Sequence, residues 1–188
     1  MNFKRPLILA SSSPRRQYLM KEAGFDFVVK PSHADESFPA SMPVQFVPTF
    51  LAEKKAKAMK DQLNDEIIVA ADTVVILGAD IMNKPQSPAE AVEMLTRLSG
   101  KKHTVITGVC LLDKSKSEIF EDRTDVTFKK LTPEEIQYYV DTYKPFDKAG
   151  AYGAQDWIGM VAIVKIVGSY FNVMGLPIHK VYTRLHSF

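Results

Sequence analysis

The sequence predicts an α/β fold on a mixed β-sheet, and three observations support this prediction. Apolar runs of strand length alternate with segments of helical pattern along the whole chain. Several helical segments open with a Ser-Pro or Thr-Pro pair and close near a glycine, as helices in proteins commonly do. Two long strand-like segments flank a short polar turn, which adds an antiparallel hairpin to the alternating pattern.

The first third of the chain is expected to fold as strand, helix, strand, loop and helix. The strands are predicted at 6–11 and 25–30. The helix between them is predicted at 14–23, with Ser13 as its N-cap and Gly24 as its end. The polar loop PSHADESFPASMP follows, and the next helix is predicted over TFLAEKKAKAMKDQL.

The middle of the chain begins with the apolar segment IIVAADTVVILG, which predicts a pair of strands. Ser87 and Pro88 then open a helix that ends at Gly100. The hairpin is predicted over KHTVITGVCLLD and EIFEDRTDVTFKKL, joined by the turn KSKS, and Thr132 caps a helix over TPEEIQYYVDTY.

The last third is predicted to contain the glycine-rich loop DKAGAYGAQD, an apolar strand over 158–167 and a final helix that starts near Pro177. No internal repeat or linker interrupts the 188 residues, so we expect a single domain.

Composition narrows the class of protein. The chain has 24 basic and 22 acidic side chains, and a net charge of +2 does not predict binding to nucleic acid or to a membrane surface. No apolar run approaches the length of a membrane span. The single cysteine, Cys110, cannot form an intramolecular disulfide, and the start of the chain is too weakly apolar for a secretory signal, so we expect a cytoplasmic protein. The four histidines lack the spacing of a zinc site.

The segment LILASSSPRRQYLM places Arg15 and Arg16 at the start of the first helix. The partial positive charge of a helix N-terminus makes each arginine unfavourable there by roughly 0.3–1 kcal/mol unless an anion lies beside it. Serine hydroxyls, backbone amides and two guanidinium groups together describe a pocket for a phosphate or a carboxylate. Both arginines could instead reach surface carboxylates, and this segment alone leaves the two interpretations open.

Asp72 lies inside the apolar segment IIVAADTVVIL. Its carboxylate must either be buried with a partner or mark the point where the strand emerges from the core. Emergence costs less free energy, so we expect Asp72 at a strand end, where it would hold a divalent cation or orient a water molecule. The alternative, a hydrogen bond within its own turn, is weakened because no Gly or Pro follows before Gly78.

Other polar residues are candidates for the same site, although each is typical of a solvated surface when taken alone. Their function depends on a convergence that spacing does not show. They are Asp35, Glu36, Lys55, Lys84, Asp147, Lys148 and Gln155.

Taken together, these segments resemble the Maf family of nucleoside triphosphate pyrophosphatases. LILASSSPRRQYLM is similar to the N-terminal motif of that family. Five later segments match family motifs in the same order, namely AADTVV, KP at 84–85, AVEMLTRLSGKKHTVITGV, DKAGAYGAQ and GSYFNVMGLP. The resemblance spans nearly the whole chain, so we interpret residues 1–188 as one Maf-like domain.

The resemblance implies an α/β fold like that of the inosine triphosphate pyrophosphatases, with two lobes on a long mixed sheet and a substrate cleft between them. It implies hydrolysis of a nucleoside triphosphate to the monophosphate and pyrophosphate, a divalent cation (Mg²⁺ or Mn²⁺), a cytoplasmic location and a possible homodimer. It also assigns roles to residues. Asp72 matches the proposed catalytic base, Glu36 and Asp72 are the candidate metal ligands, and the candidate substrate-binding positions are Ser13, Arg15, Arg16, Lys55, Thr73, Lys84 and Gln155.

Within the family, DKAGAYG followed by glutamine resembles the branch that acts on dTTP and UTP, rather than the branch that favours 7-methyl-GTP. Arg15, Thr73 and Gln155 match positions linked to substrate choice. Asp156 departs from the pattern, because a typical member has glycine there. The substitution adds a carboxylate beside Gln155 and removes backbone freedom.

The chemistry of these residues agrees with that reaction. Cleavage between the α- and β-phosphates requires that the polyphosphate charge be neutralised, which Arg15, Arg16, Lys55 and Lys84 can do together with a metal ion. An unperturbed aspartate, with a pKa near ~3.9, is a weak base at neutral pH, so we expect Asp72 to act more by positioning metal or water than by abstracting a proton.

Other classes of function remain as alternatives. One is a regulator of cell division that binds a nucleotide without turnover, and another is the 7-methyl-GTP branch of the same family. A nucleic-acid-binding module is disfavoured, since the basic residues do not cluster with aromatic ones. Pyrophosphate release from a panel of nucleotides separates these alternatives.

Overall fold

The structure is a computed structural model that describes residues 3–188. Strands and helices alternate along most of the chain, as expected. The strands of the described residues are β1 Leu7–Leu9, β2 Val28–Val29, β3 Ile67–Leu77, β4 Asp80–Met82, β5 Lys102–Leu112, β6 Ser117–Phe128 and β7 Ile163–Val167. The α-helices are α1 Pro14–Glu22, α2 Val47–Lys57, α3 Pro88–Leu98, α4 Pro133–Tyr143, α5 Trp157–Ala162, α6 Tyr170–Met174 and α7 Ile178–Ser187.

These strands form one mixed sheet, which confirms the predicted fold class. The order across the sheet is β2-β1-β3-β5-β6-β7, and β4 pairs with β3. Strand β1 is parallel to both β2 and β3, whereas β4 is antiparallel to β3 and β7 is antiparallel to β6. Neighbours β5 and β6 are joined by a turn in which Asp113 N donates to Lys116 O at 3.0 Å, so they form the predicted hairpin.

Local capping chemistry explains where several helices begin and end. Helix α3 starts after Ser87, whose hydroxyl accepts a hydrogen bond from Glu90 N at 3.2 Å. Helix α4 starts with a complete capping box between Thr132 and Glu135. Helix α1 ends at Glu22, two residues before the predicted Gly24, which has a φ of 80°, and Phe25 N closes the turn by donating to Met20 O.

Three predicted elements differ from the structure. IIVAADTVVILG is not a strand pair but the single strand β3, because no Gly or Pro interrupts it before the turn into β4. The helix predicted over TFLAEKKAKAMKDQL ends at Lys57 and is followed by a separate 3₁₀ turn, Lys60–Gln62. The apolar strand predicted over 158–167 begins as α5 and becomes β7 only at Ile163, because an evenly apolar run does not distinguish a short buried helix from a strand.

The chain divides into two compact units. Unit 1 contains the chain up to Thr73, residues Thr107–Asp122 and residues Gly175–Phe188, and unit 2 contains Val74–Ile106 and Arg123–Met174. The buried residues of unit 1 pack α2 against β1, β3 and β5 through Ile8, Ala52, Ala56, Ile68 and Cys110, among others. Burial raises the pKa of the Cys110 thiol to about 12, so it is a packing residue rather than a nucleophile.

Unit 2 has its own core. Helices α3 and α4 contribute Leu95, Leu98, Ile136 and Tyr139, and the strands and the glycine-rich loop contribute Val105, Val126, Phe128, Ala151 and Tyr152. Within the described part of the chain, no helix has both the length and the apolar character that crossing a membrane requires.

Candidate active site

Asp72 lies in the middle of β3, with Thr73 beside it. The strand is buried from Ile67 to Ala71 and again from Val74 to Ile76, so these two central residues are partly exposed between buried neighbours. The expectation that Asp72 marks a strand end is therefore wrong, since β3 continues to Leu77. The structure adopts the other option, in which the carboxylate, with 13% of its side chain exposed, has a cationic partner.

That partner is Lys55, which lies in the last turn of α2 and is itself buried. Its Nζ is 2.7 Å from Asp72 Oδ1 and 2.8 Å from Glu36 Oε1. One ammonium group therefore serves two carboxylates. The structure brings together three predicted site residues that lie on a strand, a helix and a loop, a convergence that sequence spacing alone did not show.

The loop that carries Glu36 is attached to α2 by a second lysine. Lys54 Nζ donates to Asp35 Oδ2 at 2.9 Å and to Ser37 O at 3.0 Å. Hydrogen bonds from Ser37 and Lys54 lower the pKa of Asp35 to about 2, so this carboxylate is charged at neutral pH. Consecutive lysines thus hold consecutive acidic residues, and Glu36 is presented to Lys55 by a loop that is anchored on both sides.

Arg16 was expected beside an anion, but the structure surrounds its guanidinium with neutral oxygen atoms. Its Nε donates to Gly175 O at 2.8 Å, and its Nη1 donates to Ala71 O at 2.8 Å and to Ser11 Oγ at 3.2 Å. Its Nη2 donates to Thr73 Oγ1 at 3.0 Å. Burial lowers the pKa of Arg16, and the nearby Asp72 carboxylate opposes this shift. Four of its five N–H groups thus meet neutral oxygens of the protein instead of an anion.

Thr73 is held in place by the same network. Its Oγ1 accepts from Arg16, lies 3.0 Å from Thr107 Oγ1 and approaches Gly175 O at 3.4 Å. This side chain is therefore fixed beside Asp72 on the neighbouring position of β3. Sequence reasoning missed Thr107 and Ser11 as supporting residues. The signals that could have identified them are a lone threonine inside the apolar segment VITGV and the first of the three serines that precede the helix.

The start of α1 keeps its positive character. Ser13 is the N-cap in extended conformation and Pro14 is the first helical residue, as predicted, but the Ser13 hydroxyl makes no capping hydrogen bond within residues 3–188. Instead, Ser13 N donates to Ser11 Oγ at 3.2 Å. The first turn contains no acidic residue, and it carries the half-buried Arg15. These features suit a site for a negatively charged ligand.

Lys84 and Gln155 belong to unit 2. Lys84 is exposed just after β4, and its neighbour Asn83 accepts a backbone hydrogen bond from Gly150 N at 3.1 Å, which links this segment to the glycine-rich loop. Gln155 is exposed in a turn between that loop and α5. Lys148 pairs with Asp147 at 2.8 Å within the same loop.

Oxygen ligands for a divalent cation are limited. Among residues 3–188, no three His, Cys, Asp or Glu side chains are grouped closely enough to hold a metal ion. The two predicted ligands, Glu36 and Asp72, do share one cation, the Lys55 ammonium. Carboxylate oxygens of this kind suit Mg²⁺, which commonly takes only one or two carboxylates and completes its coordination with water and substrate phosphates. The two carboxylates therefore fit a divalent cation that takes most of its oxygen ligands from elsewhere.

Comparison with known proteins gives consistent results. A family model described as Maf-like protein matches residues 6–188. A protein of Bacteroides fragilis named dTTP/UTP pyrophosphatase is 48% identical over 181 residues, which cover 95% of this chain and 94% of that protein. A Flavobacterium psychrophilum protein of the same name is 48% identical over 185 residues, which cover 97% of this chain and 95% of that protein.

A more distant likeness concerns the fold alone. The solved structure of a HAM1 protein from Coxiella burnetii matches with a TM-score of 0.50 at 13% identity, covering 98% of this chain and 100% of that one. This match agrees with the expected α/β fold of the inosine triphosphate pyrophosphatase type.

Proposed function

The chain belongs to the family of Maf-like proteins, and from this we propose that it is a nucleoside triphosphate pyrophosphatase acting on dTTP and UTP. The observation that carries the proposal is the cluster of Lys55, Asp72 and Glu36, found in a chain that is 48% identical to relatives named dTTP/UTP pyrophosphatase. Water would cleave the phosphoanhydride bond between the α- and β-phosphates, and the products would be the nucleoside monophosphate and pyrophosphate.

We assign the phosphates to positive side chains that the family resemblance gives as substrate-binding positions. In unit 1, the first turn of α1 supplies Arg15 and the helix N-terminus. Arg16 can add the fifth N–H of its guanidinium, which makes no hydrogen bond within the described chain. The resemblance also gives Lys84 as a substrate-binding position, and its side chain is exposed. Charge of this kind stabilises a polyphosphate more strongly as negative charge develops on the leaving group.

Asp72 would orient the attacking water. Its Oδ1 is held by Lys55, and the fixed position in the middle of a strand gives the carboxylate one orientation. A hydrogen bond from water to such a carboxylate aligns the oxygen for attack without requiring full proton transfer beforehand. Lys55 therefore positions Asp72 as well as contributing positive charge.

A divalent cation, Mg²⁺ or Mn²⁺, is part of the proposal. Asp72 and Glu36 are the residues that would hold it, and it would supply charge neutralisation to the phosphates. The family resemblance also supports a cytoplasmic location, a possible homodimer and the use of residues 1–188 as one domain, and we include these in the proposal.

Gln155 is the residue to which we assign base selection. Its amide offers both a donor and an acceptor, which can pair with N3–H and a carbonyl of uracil or thymine. Cytosine lacks the N3 proton, and a purine presents a larger ring with a different edge. A site with such a polar pair rejects a base that leaves the pair unsatisfied.

The test is a measurement of kcat/KM for pyrophosphate release from dTTP, UTP, CTP, ATP, GTP and 7-methyl-GTP in the presence of Mg²⁺. We expect dTTP and UTP to be the best substrates, CTP to be poorer, and ATP and GTP to be poor. Gln155→Ala should flatten this ranking without abolishing turnover. Gln137→Ala is the matched control, because Gln137 is also an exposed glutamine of unit 2 and, among residues 3–188, its amide bonds only to Asp141.

A preference of the wild type for GTP or 7-methyl-GTP, or an unchanged ranking in Gln155→Ala, would contradict the assignment. Nucleotide binding with no pyrophosphate from any member of the panel would favour the regulatory alternative instead.

A further inference from the structure

Asp156 follows Gln155 directly and makes an unusual contact. Its Oδ2 accepts a hydrogen bond from Tyr139 Oη at 2.7 Å. The same phenol oxygen accepts a hydrogen bond from Gly153 N at 3.1 Å. A continuous chain of hydrogen bonds therefore runs from the backbone before Gln155, through Tyr139, to the side chain after Gln155.

Tyr139 is a rigid anchor for this chain. It is fully buried on α4, the helix that begins with the capping box, and its ring stacks on Tyr143 with centroids 5.1 Å apart. Burial, together with the Asp156 carboxylate, raises the pKa of the Tyr139 phenol above its usual value. The hydroxyl thus keeps its proton at all physiological pH values and acts as a permanent donor to Asp156.

The charge of Asp156 is compensated locally. Lys148 Nζ lies 3.7 Å from Asp156 Oδ2 and 2.8 Å from Asp147 Oδ1. The carboxylate, with 16% of its side chain exposed, therefore has both a neutral donor and a nearby cation. A partly buried carboxylate that has both kinds of partner is stable in one orientation.

The packing around Gln155 leaves its backbone little room to move. A Cβ placed on Gly153 would lie 2.5 Å from Asp156 Oδ2, so the carboxylate occupies the space that a side chain there would need. A Cβ placed on Gly159 of α5 would lie 1.9 Å from Ala154 O, so Ala154, which directly precedes Gln155, is in contact with the backbone of that helix. Asp156 itself has φ −83° and ψ 174°, an extended conformation that any residue adopts without strain.

Gln155 contrasts with its surroundings. The residues before it are buried, whereas Gln155 is exposed and its amide makes no hydrogen bond to any of the residues from 3 to 188. The Gln155 amide thus has no partner among these residues and stands on a firmly held backbone, which is the arrangement that a side chain requires in order to recognise a ligand.

We propose that Asp156 is a positioning residue that acts through Tyr139 to hold the Gln155 backbone and thereby sets nucleobase selectivity. This inference rests on the proposed function, since it assigns a supporting role at the same site. Asp156 does not contact the substrate.

The experiment compares Tyr139→Phe and Asp156→Ala with wild type, each alone and each combined with Gln155→Ala. The readout is the ratio of kcat/KM for dTTP to kcat/KM for GTP. We expect each single substitution to reduce this ratio by about tenfold, with kcat/KM for GTP changing by less than about twofold. In the Gln155→Ala background neither substitution should reduce the ratio further, because residues that act through one another are not additive.

Two further variants separate positioning from general destabilisation. Tyr143→Phe is the matched control, because this neighbouring phenol of α4 makes no hydrogen bond within the described residues, and its removal should leave the ratio unchanged. Asp156→Asn keeps an acceptor oxygen of the same shape and should restore most of the selectivity that Asp156→Ala loses. Melting temperatures of all variants confirm that each is folded at the assay temperature.

An active wild type whose selectivity ratio is unchanged in Tyr139→Phe and Asp156→Ala would overturn this inference and leave the proposed function intact. Equal losses of the ratio in the presence and absence of Gln155 would also overturn it, since Asp156 would then not act through that residue. A wild type that hydrolyses none of the nucleotides would overturn the proposed function and, with it, this inference.

Discussion

At the scale of single residues, two aspartates of unit 1 form nearly identical ion pairs. Asp72 is 2.7 Å from Lys55 Nζ, and Asp122 is 2.7 Å from Lys180 Nζ, with 13% of each aspartate side chain exposed. An ion pair by itself therefore does not identify a catalytic carboxylate. What distinguishes Asp72 is the second carboxylate on its lysine and its place beside Thr73 in the middle of a buried strand.

This similarity gives the first prediction a matched control. Asp72→Asn should lower kcat for pyrophosphate release by at least about 100-fold, equivalent to about 2.7 kcal/mol of transition-state stabilisation, because the amide keeps the shape but loses the charge. Asp122→Asn should lower the melting temperature about as much as Asp72→Asn does, but it should retain activity. Turnover of Asp72→Asn within about tenfold of wild type would show that Asp72 is not catalytic.

The second prediction concerns Arg16, which supports the fold as well as the substrate. Arg16→Ala leaves the Ala71 and Gly175 carbonyl oxygens without their donor, which should destabilise the protein by about 2 kcal/mol or more and lower the melting temperature by roughly 5 °C. Thermal unfolding followed by circular dichroism measures this. A variant that is inactive yet melts within about 1 °C of wild type would mean that the guanidinium serves the substrate alone.

At the scale of secondary-structure elements, the position of helix α2 is set by a very close contact with the backbone of β5. A Cβ on Gly108 would lie 2.4 Å from both Pro48 C and Thr49 N, so the first turn of the helix rests directly on the strand backbone. The same helix carries Lys55 about two turns later. The absence of a side chain at Gly108 therefore helps to fix where the Lys55 ammonium meets Asp72.

The third prediction follows from this contact. Gly108→Ala must push α2 away from β5, which should cost about 1–3 kcal/mol and also reduce kcat through displacement of Lys55. Gly78→Ala is the control, because a Cβ there meets no atom of the described residues within 4 Å and only its left-handed backbone is penalised. Melting curves and turnover of both variants at 25 °C decide the matter, and wild-type stability and kcat in Gly108→Ala would contradict this account of the helix position.

The elements also show which features of the fold are readable from sequence. Helix starts at Ser87 and Thr132 are correctly predicted because a cap acts on a backbone amide only three residues away. Strand ends are not predicted in this way, because the limits of β3 depend on its pairing with β1 and β4. The partners of Arg16 are equally unreadable, because its Nε bonds to a carbonyl 159 positions along the chain. Asp72 was detectable as a lone charge in an apolar run and Lys55 as a candidate for the same site, but their pairing was not detectable.

At the scale of the whole molecule, the response of stability to pH depends on a histidine buried in unit 2. His103 is 2% exposed, its Nε2 lies 2.8 Å from Tyr152 Oη, and its Nδ1 has no hydrogen-bond partner in the described part of the chain. Burial lowers the pKa of His103 to about 4, against the opposing effect of Asp125. The folded protein therefore keeps this ring neutral well below pH 6.5.

The fourth prediction follows from that pKa. Between pH 6.5 and about 4 the unfolded chain binds a proton at His103 that the folded chain does not, so stability must fall as the pH falls through this window. The loss between pH 7 and pH 5 should be about 2 kcal/mol, or roughly 4–8 °C in melting temperature. His103→Gln should melt at nearly the same temperature at pH 7 and pH 5, and a variant with the full wild-type pH dependence would exclude His103 as the cause.

The central claim for the molecule is that it hydrolyses a pyrimidine nucleoside triphosphate between the α- and β-phosphates. The most direct test incubates the wild-type protein with dTTP and Mg²⁺ and follows the phosphorus-containing products by ³¹P NMR. The account predicts dTMP and pyrophosphate in equal amounts, with both formed at least about 100-fold more slowly by Asp72→Asn. Formation of dTDP and inorganic phosphate, or recovery of intact dTTP, would contradict it.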